Sequence, residues 1–307
     1  MTADTPWPRL PLARIVCGTD FSAGAGQAAE RAAQLAHEHG ATLSLAHVVS
    51  TSLWEDTVTR LAGLFDADMP LPDKVGDEAL QRLRESADAL GRGGPARCEP
   101  VVQVGRPAAQ LAQIAQALAA DLIVVGDRGG HSLHELVLGT TAQKLLRTSP
   151  CPVLVVKRAG TQPYRRVLAP TDFSEPSRAA LRATAALLPR ARLHLAHAFE
   201  LPFDGIVRAD ISQSARHHYR TEAQRALRRQ LHELADALGI APTQRELHVE
   251  HGYPGTWIER WIESVDADLV VVAAFGKSGL ERAFLGSVSL HAVSHAACDV
   301  LLLRGVG

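Results

Sequence analysis

Short runs of consecutive apolar residues recur along the chain, separated by stretches in which apolar positions return every three or four residues. The first five runs are Arg14 to Gly18, Thr42 to Val49, Cys98 to Val104, Leu122 to Val125 and Pro152 to Lys157. Leu122 to Val125 is four apolar residues without alternation, which suits a central strand covered on both faces in a parallel sheet. Between them the pattern predicts a helix from Ser22 or Gly24 to about His39, stopped by Gly40. Further helices are expected from Asp73 to Leu90, from about Ala108 to Ala119, and from Thr140 to about Arg147. Trp54, Val58, Leu61 and Phe65 also return at helical spacing and mark a short amphipathic piece. Strands alternating with helices in this way indicate βαβ units.

The chain is written twice. Thr19-Asp20-Phe21-Ser22 returns as Thr171-Asp172-Phe173-Ser174, and Leu45-Ala46-His47 as Leu195-Ala196-His197. Asp121 to Val125 returns as Asp268 to Val272, and Leu138-Gly139-Thr140 as Leu285-Gly286-Ser287, in the same order. A repeat of this length is a whole domain. The second copy places strands near Arg166–Pro170, Arg192–Phe199, Arg245–His251, Asp268–Ala273 and Asp299–Arg304. The seam is the short polar stretch from Arg158 to Pro163, punctuated by Gly and Pro. The expected architecture is α/β, with two tandem domains over 1–158 and 164–307. Each is a doubly wound, Rossmann-like, five-stranded parallel sheet. The terminal strands, Pro152–Lys157 and Asp299–Arg304, are sheet edges that need a partner.

Composition changes this picture little. With 307 residues, 46% of them hydrophobic, two cores can be filled. A net charge of −1 gives no basic field for nucleic acid or an anionic membrane. Arg216, Arg220, Arg225, Arg228 and Arg229, on the long helix expected from about Ser212 to Leu238, are interleaved with glutamates and read as a solvated face. Cys17, Cys98, Cys151 and Cys298 make neither a metal-spaced pair nor a dense disulfide framework, so reduced thiols in the cytoplasm are the expectation. The N-terminus lacks the features of a signal peptide, and no apolar run approaches the roughly 18–20 residues needed to cross a bilayer.

The chemistry concentrates where the repeat is most regular. In doubly wound sheets, ligands sit outside the carboxyl ends of the strands, where strand order reverses. Strand one ends at Asp20 and strand four at Gly126, so both segments can face one crevice. Asp20 suits ribose hydroxyls, a base or a hydrated metal; alternatively it is a turn residue capping the next helix. Gly126-Asp-Arg-Gly129 and, after nine residues, Gly139-Thr140-Thr141 form a glycine-bearing loop leading to a helix start. Glycines there would permit unusual backbone angles and close approach of main chain to a ligand. The helix start would offer unpaired N–H groups and the positive end of its dipole to a phosphate. A plain strand–loop–helix turn accounts for the same residues.

Taken together, Gly126-x-x-Gly129 with Gly139-Thr140, the Thr-Asp-Phe-Ser turn, and the last strand Cys151-Pro-Val-Leu-Val-Val156 resemble the universal stress protein family, over essentially the whole chain as a tandem pair. The resemblance implies an adenine-nucleotide-binding fold with ATP or a related nucleotide between strands one and four, and Mg²⁺ as a candidate companion. It nominates Asp20, Gly126 and Gly129 for nucleotide contact, and Gly139, Thr140 and Thr141 for the phosphates. It also implies pairing of the two copies, or of two chains, through terminal strands. The second copy departs from the pattern. Asp172, Gly276, Gly279, Gly286, Ser287 and Ser289 remain, but Ala273 replaces the first glycine and Phe275 adds bulk. If Ala273 had to take a positive φ or abut a phosphate, its Cβ would cost on the order of 1 kcal/mol. The first copy is therefore the expected nucleotide site, the second a weaker, altered or vacant one.

Rival motifs fall short. Gly276-Lys-Ser278 imitates the end of a Walker A loop, but position 271 is Val. Gly24-Ala-Gly26-Gln-Ala-Ala29 imitates a dinucleotide fingerprint, yet strand two ends without an acidic residue. His291 and His295 share a helix face at metal-binding spacing, whereas His194/His197 and His248/His251 are odd-spaced on strands. Surface or core packing is the expectation for these histidines, with a zinc site in the second copy as the lesser alternative. No acid pair or Ser/His/Asp order announces a hydrolase. The reading is a cytoplasmic nucleotide sensor or regulatory adaptor. The alternatives are an interaction scaffold whose pocket is empty or holds another metabolite, and a slow ATP-hydrolysing enzyme.

Overall fold

The computed structural model describes residues 10–50, 71–91, 97–129, 138–201, 213–274 and 285–304. The amphipathic piece expected at Trp54–Phe65, and Phe275, Gly276 and Gly279 of the second copy, lie outside the described residues. The chain divides between Pro163 and Tyr164 into two compact units.

The first unit runs β1 (Arg14–Thr19), α1 (Ala23–His39), β2 (Thr42–Ser50), α2 (Leu71–Gly91), β3 (Cys98–Gly105), α3 (Pro107–Ala117), β4 (Leu122–Gly126), α4 (Thr140–Thr148) and β5 (Val153–Val156). Its five strands are parallel in the order β3-β2-β1-β4-β5, with the reversal between β1 and β4. Ile15, Val16, Leu43, Leu45, Ile123, Val124 and Leu154 fill the centre. α1 starts because Ser22 Oγ accepts the Ala25 N–H, and it stops because Gly40 takes a left-handed φ of 68°. Its buried apolar positions, Ala25, Ala28, Ala29, Ala32, Leu35 and Ala36, follow the helical period. α3 ends two residues before the expected Ala119, because Ala119 turns to a φ of 48° and its N–H bonds to Gln116 O.

The second unit repeats the plan with β6 (Arg166–Pro170), α5 (Glu175–Leu187), β7 (Arg192–Phe199), α6 (Gln213–Ala237), β8 (Arg245–His251), α7 (Pro254–Ser264), β9 (Leu269–Ala273), α8 (Ser287–His295) and β10 (Asp299–Leu303). Its strands are parallel in the order β8-β7-β6-β9-β10, with the reversal between β6 and β9. The five α6 arginines are exposed.

The aspartate that opens each β4-type motif has a purely structural position. Asp121 Oδ2 accepts the N–H groups of Ala13 and Arg14, at 2.8 and 3.0 Å. Asp268 accepts those of Arg165 and Arg166. Each carboxylate ties the starts of two central strands together at the end of the sheet away from the crevice. No helix among the described residues is long and apolar enough to cross a membrane.

Candidate functional site

β1 and β4 are parallel neighbours, so their carboxyl ends open side by side where the strand order reverses. The chain leaving β1 is held by its own side chains. Thr19 Oγ1 accepts the Phe21 N–H at 3.0 Å. Asp20 Oδ1 accepts the Ser22 N–H at 3.0 Å and the Ser22 hydroxyl. These bonds force Phe21 to a left-handed φ of 63°, a conformation that costs a non-glycine residue about 1–2 kcal/mol. Its ring packs on His47, with centroids 4.6 Å apart, and Arg82 lies over it at 4.4 Å. His47 in turn donates from Nδ1 to the Thr19 carbonyl at 2.8 Å. The turn is thus braced from β2 and α2.

The glycine loop meets this turn from the β4 side. None of Gly126, Gly129 and Gly139 takes a left-handed φ, contrary to the idea that they relieve backbone angles; each is a close approach instead. A Cβ on Gly126 would lie 2.9 Å from the Gly24 carbonyl oxygen, so the end of β4 closes on the start of α1. A Cβ on Gly129 would fall on Asp20 Oδ2. A Cβ on Gly139 would lie 3.1 Å from Asp127 O, which accepts the Gly139 N–H at 2.7 Å and closes the loop.

Gly139 is also the N-cap of α4 and supplies no capping side chain. The first intrahelical donor is Gln143, bonded to Gly139 O at 3.0 Å. The amides of Thr140, Thr141 and Ala142 have no intrahelical acceptor, and the helix dipole adds positive character there. Thr140 is exposed and Thr141 half-buried. Of the expected site residues, the structure brings Asp20 against Gly129 and Gly139 against the loop between the two glycines. Thr140 and Thr141 follow in the adjoining helical turn. Chemically, this is a carboxylate beside bare main chain and an uncapped helix start, an arrangement able to receive hydroxyls and an anion.

The second unit reproduces the turn. Asp172 Oδ1 accepts the Ser174 N–H at 3.0 Å, Phe173 has a φ of 62°, and His197 donates to Thr171 O at 2.7 Å. The Phe173 and His197 rings lie 4.6 Å apart. Gly286 caps α8 and donates to Ala274 O at 3.0 Å, and Ser287 is exposed behind it. Ala273 does not take a positive φ, so the backbone penalty considered for it does not arise. The carbonyl of Ala273 accepts the Ser289 hydroxyl at 2.6 Å, which commits Ser289 to the strand.

Sequence reasoning assigned no role to His47 and His197, although the duplicated Leu-Ala-His was the available signal. On α8, His291 and His295 stack at 4.3 Å, and His291 Nε2 bonds Glu259.

Comparison with known proteins gives the geometry a family. The model of the universal stress protein family matches residues 12–157 and, a second time, 163–304. A universal stress protein of Methanocaldococcus jannaschii is 30% identical over 145 residues, covering 47% of this chain and 82% of that protein. One from Mycolicibacterium smegmatis is 26% identical over 315 residues, covering 94% of this chain and 96% of that one. The crystal structure of a universal stress protein from Archaeoglobus fulgidus matches with a TM-score of 0.67 at 21% identity, covering 95% of this chain and 96% of the other; it speaks for the fold. With both repeats matched from end to end, the chain belongs to the universal stress protein family, as two of its domains in tandem.

Proposed function

We propose that the first unit binds an adenine nucleotide, ATP or a close relative, in the crevice between β1 and β4, and that the protein acts in the cytoplasm as a stress-response sensor or adaptor. The observation that carries this reading is the approach of the Gly129 main chain to the Asp20 carboxylate beside the uncapped start of α4. In this reading Asp20 accepts ribose hydroxyls, and Gly126 and Gly129 let main chain close on the ligand. Gly139, Thr140 and Thr141 receive the phosphates, with Mg²⁺ a candidate bridge. The adenine preference rests on the family resemblance. Asp20 Oδ1 is already engaged by Ser22, so no general base is assigned and any hydrolysis is slow.

We extend the proposal to a weaker or altered second site at Asp172, Gly286 and Ser287, with Gly276 in the stretch outside the described residues. The repeats are taken as 1–158 and 164–307. β5 and β10 are the terminal strands of their own sheets. We propose them as the pairing elements between the domains or between two chains in a homodimer.

Equilibrium titration with ATP and Mg²⁺ tests the site. Wild-type protein should bind, and Asp20→Ala should weaken binding roughly tenfold or more, the scale of a lost charge-assisted hydrogen bond. Absence of binding at millimolar nucleotide would leave the scaffold reading standing. Turnover that vanishes in Asp20→Ala would favour the enzyme.

A further inference from the structure

Two histidines and a glutamate on adjacent strands of the second unit converge on one point. His194 and Glu246 are register partners across β7 and β8, and His248 follows two residues later, opposite Ala196. Alternation along the strands puts all three on one face. His194 Nδ1 lies 3.0 Å from His248 Nε2, while Glu246 Oε2 lies 3.5 Å from the former and 4.0 Å from the latter. The two longer separations are not good hydrogen bonds. A triangle with these sides has a point about 2.1 Å from all three corners. Zinc binds imidazole nitrogen and carboxylate oxygen at about 2.0–2.2 Å.

We propose that His194, Glu246 and His248 hold one divalent ion of the zinc class, with a further position open to water or an exogenous ligand. The other oxygen of Glu246 is occupied by Arg192, at 2.8 Å from Nε and 2.6 Å from a terminal guanidinium nitrogen. That grip fixes the carboxylate so that Oε2 faces the histidines, as outer-shell partners of metal ligands do. Arg166, Arg192 and Arg228 act against an added positive charge, so the site should bind less tightly than a closed structural zinc centre.

The first unit supplies an internal comparison. There the corresponding register pairs Ser44 with Glu99 and Ala46 with Val101. The glutamate persists, paired with an arginine from a different position, Arg97, whose Nε is 2.9 Å from Glu99, but serine and valine stand where the second unit has histidines. This position on the fold therefore requires neither histidine. His194 is buried, and among the described residues its Nε2 has no hydrogen-bond partner, so bonding through that nitrogen does not account for a histidine at this position. Nδ1 is the nitrogen that faces His248 and Glu246, and ligation through it leaves Nε2 as the N–H.

The test is zinc titration of tag-free full-length protein, stripped with chelator and dialysed, read by equilibrium dialysis with elemental analysis. Cobalt(II) absorption reports the geometry. Wild type should take up one equivalent and show intense d–d bands. His194→Ser/His248→Val, which writes the first unit's pattern into the second, should lose both signals, with binding weakened roughly a hundredfold. Glu246→Gln, a nearly isosteric change, should also weaken uptake, which keeps the test decisive if the double variant folds poorly. His291→Ala/His295→Ala, at the separate cluster with Glu259, should bind like wild type. No uptake by wild type at micromolar zinc would overturn the proposal. So would equal uptake by the strand variants, or loss confined to the α8 variant.

Discussion

Gly129 stands so close to Asp20 that the space a Cβ would need is taken by Asp20 Oδ2. The residue after β1 and the loop after β4, far apart in the chain, are therefore one local structure. A side chain at 129 has to push the carboxylate out of the crevice. Gly129→Val should weaken nucleotide binding to the first unit at least tenfold, while costing little stability, about 1 kcal/mol or less, because Gly129 lies exposed in a loop. Calorimetric titration alongside a thermal melt separates the two effects.

Gly126 behaves differently. Its would-be Cβ meets main chain, the Gly24 carbonyl at 2.9 Å, and backbone cannot swing aside as a side chain can. Gly126→Ala should destabilise the first unit by about 1–3 kcal/mol, the usual cost of overpacking. The reverse change, Ala273→Gly, should cost the second unit about 0.5–1 kcal/mol, because it only loosens a strand end. Urea denaturation of both variants measures the asymmetry.

Asp121 gives the opposite profile. Its carboxylate serves two N–H groups at the amino ends of β1 and β4, away from the crevice. Asp121→Ala should lower stability by about 1.5–3 kcal/mol, the scale of a hydrogen bond to a charged group. It should leave nucleotide affinity unchanged, and Asp268→Ala should behave alike in the second unit. Denaturation midpoints with matched nucleotide titrations check both halves of this expectation.

The cysteines carry a pH dependence. Burial, then the charges of Asp88 and Glu99, push the Cys98 thiol up to about 11, and burial raises Cys151 to about 11 as well. Burial also pushes Cys17 up. At pH 8 such thiols carry about a hundredfold less thiolate than an ordinary cysteine. Native protein should therefore react with a disulfide reagent far more slowly than the urea-unfolded chain. Because the folded state favours the neutral thiol, this stabilisation is complete below the unfolded value near 9. It is lost as pH rises from there towards 11. Denaturant midpoints across that window should fall. Equal labelling rates for native and unfolded protein would contradict the account.

Much of this architecture was legible in the chain, because repeated apolar runs and turn signals report local preferences twice over. The duplicated Thr-Asp-Phe-Ser identified the turn, and the Gly126 to Thr141 spacing identified the loop. The reasons behind individual residues were less accessible. Phe21 and Phe173 take the left-handed backbone that sequence reasoning gave to glycines, since Thr and Asp side-chain bonds on either side hold them there. Gly126 is small because of a helix that starts a hundred residues earlier, which no local pattern encodes. His194, Glu246 and His248 meet only through the register of β7 on β8, so spacing along one strand could not bring them together.

The central claim is that the crevice between β1 and β4 of the first unit is the principal nucleotide site. Isothermal titration of the purified full-length protein with ATP and Mg²⁺ tests it most directly, run on wild type, Gly129→Val and Asp172→Ala. The account predicts one dominant binding event per chain, lost in Gly129→Val and retained in Asp172→Ala. Two equivalent events, or a dominant event that survives Gly129→Val and disappears in Asp172→Ala, would contradict it.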